Sequence, residues 1–453
     1  MLSAQRPTAR SNPRPHCVAR RARRLILIGL LAGARPIAAE PLAQGPAAEF
    51  TEPEGTIELR DAVAAALLNG PALSVFSSQI RVEEARAVQA GLLPNPDLLT
   101  EIEDVGGSGD RQGFEQTQIT VSIAQLVELG GRRAKRLRLA SLTRDVASWD
   151  YEVARADVLA AVAKAFIATL AAQQRLRVLD DLQGLAQRSV DAVGIQVRAG
   201  ATSPIELNRA EAALGRVQTQ RWQAERDLAS ARLALAATWG GSAARFVEAR
   251  GDLGAPSPPP ERSALLKQVE GNPDLARWST ELDQRRAALS LEQARAVPNL
   301  VVSLGARQFT DNGDTALVAG LSLPLPVFDR NQGNIQAAQH QIAQATASRQ
   351  LATVSVLQAL GTAYEEVRAA YQQATTLRDA VLPKAEAAFA GARDAYERGL
   401  LRFLDVLDAQ RTLFEVKDEY VRTLASYRAA IVDVERLSGT ALAPATDDGR
   451  TNP

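Results

Sequence analysis

Apolar residues recur at intervals of three and four along much of this chain, and this pattern predicts long α-helices. One such stretch begins near residue 133 and another returns to residue 240, and a similar pair covers 331–438. At 1.5 Å per residue, the first helix would be about 100 Å long. The two predicted helical hairpins pack as coiled coils along seams formed by Trp149, Val153, Ala156, Ala160, Ala163, Ile167, Leu170, Leu207, Ala210, Leu214, Val217, Ala224, Leu228, Ala231, Leu235, Leu413, Val416, Tyr420, Leu424, Tyr427, Ile431 and Val434.

Two shorter regions, 97–126 and 299–323, alternate apolar with polar residues, which predicts two β-hairpins. In the clearest strand, Ile119, Val121 and Ile123 share one face. Gln118, Thr120 and Ser122 lie on the other face of that strand. Glu101 and Glu103 share one face of the strand before it, and Ser303 and Arg307 share one face of the strand predicted at 299–308. Segments 106–113 and 309–314 are rich in Gly and Asp, as expected for the turns. Taken alone, the alternation also fits a soluble four-stranded sheet with one solvated face.

The second half of the chain repeats the first. Gly200 matches Gly399, Glu206 matches Asp405, and Gly240 matches Gly439 at one constant offset. We therefore predict a mainly α fold with a small β part, built from two copies of one unit. The units cover 40–253 and 263–440, and each consists of a helix (59–92 or 263–296), a β-hairpin (97–126 or 299–323) and a long helical hairpin (133–240 or 331–438). A Pro-rich linker, 254–262, separates the units, and 441–453 is expected to be a disordered tail.

Each predicted hairpin leads straight into a long helix without a reversing loop. Pro324 and Pro326 end the last strand, because proline cannot donate a hydrogen bond to a sheet. The polar residues that follow, Asp329, Asn331 and Gly333 among them, are suited to the start of a helix. Gly130 and Gly131 take the corresponding place in the first unit and supply backbone freedom.

The first 39 residues have the pattern of a secretory signal peptide. Several arginines precede a short apolar run, Leu25–Ala34, and small residues follow it. Cys17 precedes the apolar run, so a lipid anchor is not expected, and no cysteine follows it. We find no other segment with the roughly 20 apolar residues of a membrane helix. The protein is thus predicted to be exported.

Composition and charge exclude several classes of function. Lys+Arg and Asp+Glu are both 52, so the formal net charge is zero and a nucleic-acid partner is not expected. His16 lies in the predicted signal and His340 stands alone among Gln and Ala. No catalytic constellation, phosphate loop, cofactor motif or metal-ligand cluster is evident, so we do not predict an enzyme.

The strands, at about nine residues, are close to the length that a tilted strand needs to cross a bilayer. In lipid every backbone N–H and C=O needs a partner within the protein, and for strands only a closed barrel provides this. One chain offers four strands, whereas the smallest membrane barrels have about eight. Several copies must therefore contribute if the strands span a membrane, and each strand must then pass into its helix without reversing.

The sequence resembles the outer-membrane efflux proteins, or TolC-like channels, over about 59–439. More narrowly, it is similar to the outer-membrane component of heavy-metal efflux systems of the cobalt–zinc–cadmium type. The motifs that carry the resemblance are "GLLPNPDL" (91–98), "ELGGRRAKR" (128–136), "LPLPVFDRNQGNIQAAQ" (323–339), "RAGATSPIELNRAE" (198–211) and "ERGLLRFLDVLDAQR" (397–411).

The resemblance implies a homotrimer whose 12-stranded barrel lies in outer-membrane lipid and continues into a periplasmic helical tunnel. It also implies that the turns of the helical hairpins face a periplasmic adaptor and an inner-membrane pump of the RND type. Matching positions for an acidic aperture are Glu206, Asp405 and Asp408. Candidate adaptor contacts are Arg198, Gly200, Ser203, Arg398, Gly399 and Leu400.

Several alternatives remain open on the sequence alone. The acidic residues also lie in or near the first turn of a helix, where carboxylates stabilise its positive end. The same channel architecture serves protein secretion or drug efflux as readily as metal efflux. A periplasmic coiled-coil adaptor without a barrel is a third interpretation, although adaptors have one helical hairpin and this chain has two.

Overall fold

The computed structural model of the protein describes residues 52–439, so the predicted signal peptide and C-terminal tail lie outside the described residues. In chain order the elements are β1 (Gly55–Ile57), α1 (Leu59–Asn69), α2 (Pro71–Ala90), β2 (Asp97–Glu103), β3 (Gln118–Val127), α3 (Arg132–Arg198), α4 (Pro204–Ala237), β4 (Phe246–Ala249), α5 (Arg262–Gln268), α6 (Pro273–Arg295), β5 (Leu300–Phe309), β6 (Thr315–Ser322), α7 (Gln332–Thr376), α8 (Leu382–Glu397) and α9 (Phe403–Ser438). The two halves contain the same succession of helix, β-hairpin and long helical hairpin.

The coiled-coil seams predicted from the apolar spacing are confirmed. Every seam residue is buried or half-buried, and α3, the longest helix, has 67 residues. Alanines such as Ala210 and Ala224, each 1% exposed, allow α4 to approach its neighbours closely. The helical body is therefore held together by apolar burial distributed along its length.

Each half begins with a helical segment that is divided in two at a proline, whereas the sequence predicted one continuous helix there. α1 ends at Asn69 and α2 begins at Pro71, with Gly70 between them. α5 and a short 3₁₀ turn end before Asn272, and α6 begins at Pro273. Proline has no N–H to donate and its ring clashes with the preceding turn, so it opens a new helix instead. Asn272 secures the second break, because its Oδ1 accepts from Asp274 N (2.7 Å) and its Nδ2 donates to Leu437 O (2.8 Å).

The stretch Leu59–Ala90 is, by length and composition only, apolar enough to cross a membrane. This differs from the sequence analysis, which found no such stretch after the signal. The break at Gly70 divides it, and Ala62, Ala65 and Ala66 pack in a core cluster with Phe166 of α3. We therefore assign it to the helical body.

The first arm of the second helical hairpin is also interrupted. A five-residue π turn, Leu377–Val381, separates α7 from α8, and Pro383 follows two residues later. The missing N–H and the bulk of a proline disrupt the hydrogen bonds of the preceding turn, which is a common cause of such bulges.

A short parallel sheet, β1 with β4, was not foreseen from the sequence. Gln173 of α3 pairs with its edge, donating to Ala249 O (3.0 Å) and accepting from Ala249 N (2.9 Å). Ile57 and Phe246, each 2% exposed, anchor the strands in the core. The segment 254–261 is irregular, so the predicted linker ends one residue earlier than 262, where α5 begins. The Tyr427 hydroxyl holds this segment by donating to Ser257 O (2.7 Å).

Candidate functional site

The four strands of the two hairpins form one antiparallel sheet with the order β2-β3-β5-β6. Within residues 52–439, β2 and β6 each have a single neighbour, so both outer edges carry unpaired backbone groups. The helices follow the same order, since α2 contacts α3, α3 contacts α6, and α6 contacts α7. The sheet therefore has one strand with a free edge on each side. These are β2, which follows α2, and β6, which leads into α7.

The register places apolar residues of all four strands on one face. Ile123 is opposite Leu98 and Leu304, and Leu304 is opposite Ala319. This apolar face is exposed, with Leu304 at 63% and Leu317 at 86%. The opposite face carries Glu101, Glu103, Gln118, Thr120, Ser122, Ser303 and Arg307. The arrangement is the reverse of a soluble sheet, in which the apolar face is covered and the polar face is wet.

The first strand-to-helix junction is held by arginines of α3 whose role the sequence analysis missed. Arg132 donates to Ala294 O (3.1 Å) and Arg295 O (2.8 Å), at the end of α6. Two further arginines bind the end of α2: Arg133 donates to Gly91 O (2.6 Å), and Arg136 donates to Ala90 O (2.7 Å) and Leu92 O (3.1 Å). These carbonyls lie where a helix leaves its last acceptors unpaired. The motif "ELGGRRAKR" therefore ties three helices together at the edge of the sheet.

Glycine and an acidic residue complete this junction. Gly130 and Gly131 have φ of +68° and +70°, in the left-handed region, as the predicted backbone freedom requires. Arg136 also donates to Glu128 (3.1 Å, Nη2 to Oε2), and this hydrogen bond lowers the pKa of the Glu128 carboxyl against the opposing effect of burial.

The second junction uses asparagine in place of arginine. Asn331, with φ +58°, caps α7 and donates through Nδ2 to Glu292 O (2.8 Å) near the end of α6. Asp329 accepts from Asn331 N (2.8 Å). Pro324 and Pro326 lie in the exposed segment between β6 and α7, and Gly333 lies in the first turn of α7 with no atom near its missing side chain.

The turns of the two helical hairpins have the same backbone hydrogen bonds. Ala201 N donates to Gln196 O (2.9 Å), and Leu400 N donates to Ala395 O (2.8 Å). Gly200 and Gly399 are left-handed, Ser203 caps α4 by accepting from Ile205 N (3.2 Å), and Arg198 is the last residue of α3. Arg398 forms an ion pair with Asp394 (2.8 Å), and Leu400 is 73% exposed.

The two turns lie side by side. Val193 and Ala210 of the first hairpin pack with Phe403 and Val406 of the second. The Tyr396 hydroxyl donates to Gln196 Oε1 (2.8 Å) across the gap. Burial raises the pKa of the Tyr396 phenol, and the nearby Glu206 carboxylate adds to the rise.

Each of the three predicted aperture residues has a partner three residues away in the chain. Glu206 is half-buried and pairs with Arg209 (3.0 Å), while its Oε2 is buried without a hydrogen-bond partner among residues 52–439. Asp405 accepts from Arg402 N (3.0 Å) at the start of α9, and the exposed Asp408 pairs with Arg411 (3.1 Å). The helix-end role of Asp405 is thus visible in the geometry. Within the described part of the chain, no group of three or more His, Cys, Asp or Glu is placed to hold a metal ion.

Comparison with known proteins identifies the family. The family described as outer membrane efflux protein matches residues 62–241 and 266–440. The cobalt-zinc-cadmium resistance protein CzcC of Cupriavidus metallidurans is 36% identical over 346 residues, which cover 76% of this chain and 81% of that protein. The nickel-cobalt-cadmium resistance protein NccC of Alcaligenes xylosoxydans xylosoxydans is 25% identical, over 56% of this chain and 57% of its own length.

Solved structures show the same fold at low identity. A structure of CusC, described in terms of transmembrane channel formation, superposes with a TM-score of 0.72 at 15% identity and covers 87% of this chain and 96% of that one. The resemblance stated from the sequence motifs is thereby confirmed. The chain belongs to the outer membrane efflux protein family, whose members are TolC-like channels of the Gram-negative outer membrane.

Proposed function

We propose that three copies of this chain form a passive duct through the outer membrane that exports heavy-metal cations delivered by an inner-membrane pump. The observation that carries the proposal is the open sheet with an exposed apolar face and two unpaired edges. In lipid these edges must be paired, and an apolar outer surface is favourable there. Three times four strands gives the 12-stranded barrel that the family resemblance implies.

The ring closes by a head-to-tail contact, in which β6 of one copy pairs with β2 of the next. Apolar side chains exposed on both flanking helices support this contact. They are Val75, Val82 and Val88 of α2, and Leu351, Val354 and Leu357 of α7. Because α2 continues into β2 and β6 continues into α7, the same contact joins the barrel walls and the helical walls below them.

The cargo is proposed from the relatives. CzcC and NccC are both named for resistance to divalent metals, and CzcC matches most of this chain. With no ligand cluster among residues 52–439, cations would pass hydrated and be influenced by charge rather than by coordination. Export of organic compounds or proteins is the alternative cargo for the same channel.

The partners are proposed to be a periplasmic adaptor and an RND-type pump, which supply the energy. The hairpin turns, with Arg198, Gly200, Ser203, Arg398, Gly399 and Leu400, are the proposed contact surface. Their exposed leucine and arginine side chains lie at the end of the helices farthest from the sheet. The family match favours this channel over a coiled-coil adaptor.

Two measurements test the duct. The mass of the protein in mild detergent, from a washed outer-membrane fraction, is expected to be three times that of the mature chain. Deletion of its gene is expected to sensitise cells to zinc, cobalt or cadmium while leaving their sensitivity to organic drugs unchanged. A water-soluble monomer would contradict the channel, and drug sensitivity alone would contradict only the cargo.

The acidic aperture gives a further prediction. Replacing Asp405 and Asp408 together by Asn removes charge and keeps hydrogen-bond acceptors, so the caps persist. We expect weaker cation selectivity in single-channel recordings, whereas Glu366→Gln, on the exposed body of α7, should leave selectivity unchanged. If the Asp variant keeps its selectivity, these residues serve only to stabilise the start of α9.

A further inference from the structure

One arginine organises the polar face of the four-stranded sheet. Arg307 of β5 donates to Thr120 Oγ1 (2.9 Å) and Gln118 Oε1 (3.1 Å) of β3, and it forms an ion pair with Glu103 of β2 (3.0 Å). Three strands are thus bridged by one guanidinium, whose fork of donors suits such multiple contacts. Arg307 is half-buried under these partners, while Glu103 stays half-exposed.

The cluster lies at the end of the sheet away from the helices. Glu103 ends β2 and Gln118 begins β3, on either side of the turn 104–117, and Phe309 ends β5 before the turn 310–314. The opposite ends of the same strands, at Asp97, Val127 and Leu300, adjoin the helical junctions. In the proposed barrel, the Arg307 cluster therefore lines the lumen at its outer mouth.

The charges of this cluster do not cancel. Glu101 shares the face and the register row of Thr120 and Arg307, and it forms no ion pair with any residue in 52–439. Two carboxylates, Glu101 and Glu103, thus accompany one guanidinium in each copy. The adjoining turns contain the neutral pair of Asp104 with Arg111 and the exposed acidic residues Asp110, Glu115, Asp311 and Asp314, so they add negative charge to the same end of the sheet. Charges lining a narrow passage with low-dielectric walls shift the local concentration of ions.

We propose that Arg307 sets the ion selectivity of the outer mouth by offsetting part of the negative charge of Glu101 and Glu103. The inference rests on the proposed function, because it requires the polar face to line a conducting lumen. It adds a second determinant of selectivity, at the end of the duct opposite to the hairpin turns.

Single-channel recordings in planar bilayers with a salt gradient test this directly. With salt on the order of 0.1 M, where the screening length is about 10 Å, Arg307→Gln is expected to raise the cation-to-anion permeability ratio roughly twofold or more. Glu103→Gln is expected to lower the ratio by a similar factor, and Arg307→Lys, which keeps the charge but not the fork, should resemble the wild-type protein. Arg226→Gln, an exposed residue on α4 away from the sheet, is the charge-matched control.

The outcomes separate the two proposals. If the wild-type protein conducts and the Arg307 and Glu103 variants keep its permeability ratio, the inference is overturned and the duct stands. Absence of any conductance from the wild-type oligomer overturns both. If Arg307→Gln does not assemble, Glu101→Gln and Glu103→Gln test the inference in its place. Both variants keep the guanidinium, and each must lower the cation-to-anion permeability ratio.

Discussion

At the scale of single residues, the first strand-to-helix junction depends on a glycine that no other residue replaces well. Gly130 is left-handed, and an added Cβ would lie 3.1 Å from Val297 Cβ and 3.2 Å from Ala294 O. Its position therefore combines a backbone conformation that disfavours side chains with close packing against the end of α6.

We expect Gly130→Ala to lower the free energy of unfolding by about 1–3 kcal/mol, from left-handed strain plus crowding. The readout is the midpoint of thermal loss of helical circular dichroism in detergent. Gly131→Ala introduces the same left-handed strain, but the space around the added Cβ is open. It should therefore lower the free energy of unfolding by less than Gly130→Ala does. Gly215→Ala, in the interior of α4, should be neutral or stabilising by about 0.5–1 kcal/mol. Equal losses in both junction variants would show that crowding contributes nothing.

At the scale of elements, the chain is joined where helices end. The guanidinium groups of Arg132, Arg133 and Arg136 hold the carbonyl ends of α2 and α6 beside the start of α3. Glu128 neutralises part of this positive charge and is itself stabilised by it. The junction should therefore respond to acid.

The Glu128 carboxyl has its pKa lowered below the ordinary 4.5, mainly by the hydrogen bond from Arg136. A lowered pKa contributes stability above pH 4.5, and this stability is lost as the pH falls through the folded value. We expect Glu128→Gln to be less stable than the wild-type protein at pH 7 and to show a shallower loss of stability below pH 4.5. Parallel pH profiles of the two proteins would contradict the role of this ion pair.

The sequence predicted the elements with a repeating pattern well, and it failed where single contacts decide. Many residues together form the seams of α4 and α9 and the alternation in β3 and β5. The periodicity of the local sequence is therefore enough to predict these elements. The breaks at Pro71 and Pro273 were visible as prolines but were outweighed by the apolar periodicity around them. The pairing of β1 with β4 joins residues about 190 apart and depends on Gln173, which no periodicity marks. Likewise, the arginines of "ELGGRRAKR" are visible as a motif, but the carbonyls that accept their hydrogen bonds lie on helices distant in sequence.

At the scale of the whole molecule, the exposed apolar face of the sheet is the surface that the proposed barrel places in lipid. Leu304 lies in the middle of β5 with 63% of its surface exposed, and neighbouring Ser303 points to the opposite, polar face. The two residues thus offer adjacent positions with opposite surroundings in the proposed barrel.

We expect Leu304→Lys to impair insertion and assembly, since a lysine on the lipid-facing side of a barrel strand costs about 2–4 kcal/mol near the bilayer centre. Ser303→Lys places the same charge in the same strand but toward the lumen, where water solvates it, so assembly should persist. The measurement is the fraction of each variant recovered as an oligomer from the outer-membrane fraction. Equal recovery of both variants would mean that the apolar face does not meet lipid. The reverse order would mean that the sheet closes with its apolar face inward, which its exposed leucines and the Arg307 network on the other face argue against.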